Sequence, residues 1–199
     1  MPSGRRGTIF ITGDPDDDAL LNTDPLALVI GLLLDQQVPM AWAFRGPATL
    51  RDRLGGLDAG QVAAMDPEEL VAVFCAKPAL HRYPAAMARR THELCAYLVE
   101  HYDGDAARLW GRVRGGEALF DRVRALPGYG EEKAQILVAL LAKRFAVRPA
   151  GWEVAAGVFS DATPRSVADS HDPASLAEVR AFKKAMKAAQ RDKQGRPDS

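Results

Sequence analysis

The chain has 199 residues, 47% of them hydrophobic and 26% charged. That is enough apolar side chain for a buried core and excludes wholesale disorder. Lys+Arg and Asp+Glu each number 26, a formal net charge of zero, so global basicity argues for neither nucleic acid nor membrane, and only local patches remain open. Two cysteines, Cys75 and Cys95, neither staple a disulfide scaffold nor supply the four thiolates of a zinc or iron–sulfur site.

At the N-terminus, Arg5 and Arg6 precede the apolar stretch Thr8-Ile9-Phe10-Ile11, which is too short for a signal-peptide core. The longest apolar run, Leu26 to Leu34, stops at Asp35, well short of the ~20 residues a membrane helix needs. A soluble, reduced, cytoplasmic protein is the expectation. Thr8–Thr12 alone has strand character. Asp14, Asp16, Asp17, Asp18 and Asp24, with Pro15 and Pro25, read as an acidic loop. No Gly-centred calcium-loop spacing accompanies them, so a solvated charge run outweighs a metal site.

From Asp24 onward the pattern is helical. Asp24 as N-cap and Pro25 at the first helical position predict a helix over 25–37, apolar all round and therefore central. The Gly46-Pro47 pair punctuates the next stretch and leaves a short helix over 48–54. Residues 58–65 follow, and Asp66-Pro67 opens another helix to about Cys75. Pro84 begins a long helix to about Tyr102, with Met87, Thr91, Leu94, Leu98 and Val99 as its apolar stripe. Short helices over 106–113 and 117–126, a helix over 131–144, a short one over 149–158 and a basic one over 174–191 complete an all-α chain. Trp42, Trp110 and Trp152 read as core residues. His81, His92, His101 and His171 have no ligand spacing, so no metal is assigned.

The informative segment is Leu126-Pro127-Gly128-Tyr129-Gly130-Glu131-Glu132-Lys133-Ala134. Two glycines let the chain turn between helices, and the first N–H groups of the second helix then face outward, where a phosphate can dock. A Gly-capped helix–helix turn with no ligand fits the same residues.

The full string, with a short helix before it and an apolar helix after it, resembles the helix-hairpin-helix of the HhH-GPD superfamily of base-excision DNA glycosylases, which includes endonuclease III. The likeness extends to Leu26 through Gln37, similar to the family's buried helix ending in a Gln-containing turn. It extends also to Phe74–Leu98, with Pro84 and Ala85 at the entry to the long helix. About residues 24–153 are covered. The resemblance implies two helical lobes carrying the hairpin, organised as an N-terminal segment with the acidic loop (1–23), the helical domain (24–160, hairpin 118–145) and a C-terminal basic helix and tail (161–199).

It implies, further, a monomer that binds double-stranded DNA in the cytoplasm at the nucleoid. Gly128, Tyr129 and Gly130 would grip the backbone, with a monovalent cation allowed on the hairpin carbonyls. Gln36 would plug the gap left by an extruded base, with its neighbour Gln37 as the alternative. Trp152 and Tyr83 would line the base pocket. Lys133, Lys183 and Lys187 would contact phosphates, the last two on a helix rich in Arg180, Lys184 and Arg191.

Two departures matter. The lyase lysine of bifunctional relatives falls on Glu132, and Lys133 is turned about 100° further round the helix, so no lyase activity is expected. The family's catalytic aspartate falls on Ala150, in the run Val147-Arg148-Pro149-Ala150-Gly151-Trp152-Glu153. Glu153 and Asp35 are the carboxylates left to stabilise a forming sugar cation. The expected activity is a monofunctional DNA glycosylase without an iron–sulfur cluster. The alternative is a non-catalytic DNA lesion- or structure-binding module on the same scaffold, which the missing aspartate favours. A protein-interaction domain with an incidental turn is the third reading.

Overall fold

The computed structural model describes residues 8–189. Arg5, Arg6, Arg191 and the charged tail lie outside the described residues. The described residues form ten α-helices and three short 3-10 turns, with no strand among them, so the all-α expectation holds and Thr8–Thr12 is not a strand. Two compact units result. One comprises residues 12–112 and 124–130; the other comprises residues up to 11, 113–123 and 131 onward. We call them the α2 unit and the α8 unit after their central helices.

The α2 unit holds α1 (Pro15–Thr23), α2 (Pro25–Leu34), α3 (Met40–Leu54), α4 (Ala59–Ala64), α5 (Pro67–Cys75) and α6 (Pro84–Tyr102). Every residue of α2 from Leu26 to Leu34 is buried, as its uniform apolarity requires. α3 crosses it at close range: a Cβ on Gly31 would stand 2.7 Å from the Phe44 ring, and one on Gly46 would stand 2.4 Å from Leu34 Cδ1. Small residues at these two positions bring the helices close enough for Phe44, Leu34 and Leu50 to be sealed from water.

Three expectations are corrected here. The acidic stretch is no loop but α1, capped by Asp14, whose carboxylate accepts the N–H groups of Asp16 and Asp17 at 2.9 and 3.2 Å. Carboxylates in a first turn are favoured by the N-terminal helix dipole. Asp18 is buried and accepts from the Thr12 N–H and hydroxyl at 3.0 and 2.9 Å. Burial, and then Asp14 beside it, raises the Asp17 carboxyl above its ordinary range. Second, α2 ends at Leu34, so Asp35 is its C-cap and Gln36 and Gln37 lie beyond it. Third, Gly46-Pro47 does not break the chain, because α3 runs through Pro47 from Met40 to Leu54.

In the α8 unit, α8 (Glu131–Arg144) is the buried spine, with Ala134 and Ile136 through Ala142 inaccessible. α7 (Gly116–Arg124) precedes it in the chain. Against α8 pack α9 (Trp152–Ala156) and the turns Gly157–Ser160 and Val167–Asp169. Lys143 Nζ ties this side together, donating to Asp169 Oδ1 and to the Asp161 carbonyl, both at 2.6 Å. Ser166 and Asp169 form a capping box. α10 (Pro173–Ala188) is capped by Asp172 and Ser175. The predicted helix over 149–158 is thus only five residues of α-helix, since Gly157, at φ +55°, ends it.

Candidate nucleic-acid interface

The hairpin Arg124–Gly130 belongs to the α2 unit, where it is fastened to α2 at two points. Gly128 has φ +79°, and a Cβ there would stand 2.4 Å from Leu33 Cδ1. Leu33 is itself fully buried and has little room to give, so only glycine fits. Next to it Tyr129 is buried, its hydroxyl donating to the Val29 carbonyl of α2 at 2.7 Å. Burial in an apolar site pushes the Tyr129 phenol well above its ordinary range. What Tyr129 contributes is therefore anchorage of the turn, not a side-chain contact with a strand. Gly130 differs from both. It is exposed, its φ is not left-handed, and a Cβ would meet nothing within 4 Å. Nothing inside the described protein calls for glycine there.

The other α2-unit candidates gather where α2 ends. Asp35, half-buried, donates its N–H to the carbonyls of Gly31 and Leu32. Gln36 is folded back onto its own helix: Nε2 donates to the Leu33 carbonyl at 2.7 Å and Oε1 accepts from Arg90 Nη1 at 2.9 Å. Gln37 is exposed at φ +54°, a left-handed conformation that costs a residue with a side chain about 1 kcal/mol. The Leu34 carbonyl takes His81, whose Nε2 lies 3.1 Å away while Nδ1 accepts the Tyr83 N–H at 3.0 Å. That acceptor role at Nδ1 leaves Nε2 as the donor and the buried ring neutral. Around His81 stand Trp42 and Tyr83, with ring centroids 6.4 and 6.2 Å from it. They are 40% and 43% exposed, so Trp42, expected in the core, is a surface aromatic. Arg82 lies over the Tyr83 ring at 5.4 Å.

The remaining candidates stand in the α8 unit. Lys133 is half-buried on the first turn of α8. Trp152 is half-buried and Glu153 exposed on α9, whose N-cap Gly151 adopts φ +77° and offers no side-chain cap. Val154 beside them is 87% exposed. What sets this segment is Gly116, whose N–H donates to the Ala150 carbonyl at 2.8 Å. A Cβ on Gly116 would stand 2.5 Å from the Gly151 carbonyl oxygen. Lys183 is half-buried and Lys187 exposed on α10.

Arg90, Trp42, His81 and Gly116 carry no local pattern that marks them as site residues. The Gly115-Gly116 pair and the Arg89-Arg90 pair are visible signals, but which member matters is decided by neighbours distant in the chain. Among the described residues no three His, Cys, Asp or Glu side chains converge on a metal position, and no helix is long and apolar enough to cross a membrane. No family model, curated protein or solved structure matches this chain.

Proposed function

We propose that this protein is a base-excision DNA repair protein of the HhH-GPD type, hydrolysing the N-glycosidic bond of a damaged or mismatched base without lyase chemistry. The observation that carries the reading is the contrast within the hairpin. Gly128 is demanded by the packing of the turn on α2, whereas Gly130 is an exposed glycine that no internal contact explains. A glycine at such a point suits the close approach of another molecule's backbone, and it stands at the start of α8, the end of a helix that favours phosphate.

The chemistry needs a carboxylate beside the sugar. Water attacks the anomeric carbon as the base departs with the bonding electrons. The carboxylate stabilises the intervening cation and takes the water's proton. Asp35 is the better candidate, half-buried in the same unit as the hairpin, Gln36, Gln37 and Tyr83. Glu153 is exposed on a five-residue helix of the α8 unit, and an exposed carboxylate loses most of its electrostatic leverage to water. The non-catalytic reading draws its support from that exposure together with Ala150 in the aspartate's place.

Incubation with duplexes bearing uracil, hypoxanthine, alkylated or oxidised bases, followed by hot alkali, tests the proposal. Strand cleavage on at least one duplex, abolished in Asp35→Asn and retained in Glu153→Gln, is the expected result. Binding with no cleavage on any duplex leaves the module reading. Borohydride trapping through Lys133 would refute the absence of lyase chemistry. The DNA reading itself fails if wild type ignores duplex DNA at low salt.

A further inference from the structure

Arg89 and Arg90 are adjacent on α6 and meet different fates. Arg89 Nη2 is paired with Glu68 Oε1 at 2.8 Å, so a carboxylate answers its charge. Arg90 is exposed and its guanidinium donates to a neutral acceptor, the Gln36 amide oxygen, at 2.9 Å. Among the described residues no ion pair involves Arg90. Its stem also runs beside the hairpin, with Cδ 3.9 Å from where a Gly128 Cβ would stand. An uncompensated planar cation, a stretch of main chain bare of side chain and the amide of Gln36 therefore converge at the end of α2.

From this juxtaposition we infer that Arg90 is a DNA-phosphate contact at the hairpin, taking a phosphodiester oxygen pair with its fork and holding Gln36 folded on α2 when no DNA is bound. The inference rests on the DNA-binding reading above and deepens it. Arginine suits the task because its planar donors match two phosphate oxygens at once, which an ammonium does not. One bond to Gln36 leaves other donors of the guanidinium available.

The test is fluorescence anisotropy of an undamaged duplex at a series of KCl concentrations, with thermal melts to confirm that each variant is folded. Arg90→Ala is expected to bind about tenfold more weakly at low salt, with the slope of log K against log salt shallower by about one. Arg90→Lys keeps the slope and loses part of the affinity. Arg89→Ala and Gln36→Ala keep the wild-type slope. A wild-type slope in Arg90→Ala overturns this inference while leaving DNA binding intact. So does a Gln36→Ala variant that reproduces the whole Arg90→Ala loss, since Arg90 would then only brace the glutamine. Failure of the wild type to bind any duplex removes the proposed function as well, so the two failures are distinguishable.

Discussion

The hairpin at 124–130 and the segment at 149–160 are held by different means. The hairpin is pinned by side chains to the most buried helix of its unit: Gly128 against Leu33, the Tyr129 hydroxyl on the Val29 carbonyl. The α9 segment buries Ala156 and Phe159 at its far end, but its start is set by main chain, through the Gly116 N–H on Ala150 and the close passage of Gly116 and Gly151, and there Glu153 and Val154 project into solvent. Packing against an immobile core makes a rigid platform, because displacing it opens a cavity. The first turn of α9, with Glu153 and Val154 exposed and no side-chain cap at Gly151, has no such backing, and exposed turns of this kind open more readily than core-packed ones. A grip for a rigid backbone belongs on the first kind of surface.

Substitutions can break that comparison, and the largest effect is expected at Gly128. Gly128→Val adds a left-handed β-branched residue and a clash with buried Leu33, a loss of about 3 kcal/mol and a Tm lower by roughly 6–12 °C. Gly130→Val, in open space, should leave the melting temperature within about 2 °C and lower DNA affinity. Equal destabilisation at both glycines would erase the distinction drawn between them.

Gly116→Ala comes next, because the clashing atom is a backbone oxygen that cannot rotate away. About 2 kcal/mol of stability should be lost in urea titration. A smaller loss would mean that the α9 segment yields, sharpening the contrast with the hairpin.

Tyr129→Phe should cost about 1–2 kcal/mol by leaving the Val29 carbonyl without the phenol. Burial holds the folded-state phenol well above its ordinary range, so the stability it contributes is intact below an unfolded tyrosine's pKa of about 10 and is lost as the pH rises beyond it. Phenolate absorbance from Tyr129 should therefore appear only with alkaline unfolding, and Tyr129→Phe should remove that component.

The smallest effect is chemical. Burial, with Asp58 nearby, pushes the Cys95 thiol up to about 12, while Cys75 is exposed. Native protein at pH 8 should alkylate at Cys75 and spare Cys95. Modification of Cys95 in Gly128→Val but not in Gly130→Val would show the α2 unit loosening as a whole.

Local chemistry was enough for most of the helices. Asp-Pro starts at 24–25 and 66–67, the Pro84 start of α6 and the whole of α8 follow from capping and apolar period, which act within one or two turns. The same Asp-Pro signature stands at Asp14-Pro15, where the density of aspartates points instead to a loop. Capping and the helix dipole decided otherwise, with Asp18 buried against Thr12. Pro47 inside α3 shows the converse, tertiary packing of Gly46 on Leu34 overriding a local helix breaker.

The candidate site was legible to a lesser degree. Gly128 and Gly130 look alike as letters, and only the presence of Leu33 beside one and empty space beside the other tells them apart. Gln36 and Gln37 are likewise adjacent letters, one folded onto Leu33 and Arg90, the other exposed at positive φ. What the amino-acid string determined by itself was the all-α class, the central α2 and the turn between α7 and α8, because these depend on interactions between near neighbours. Which glycine is structural, which arginine is paired with a carboxylate and which aromatic reaches the surface were decided only by tertiary structure. Those outcomes depend on residues such as Leu33, Glu68 and His81, far away in the chain or on another element, whose proximity no local pattern encodes.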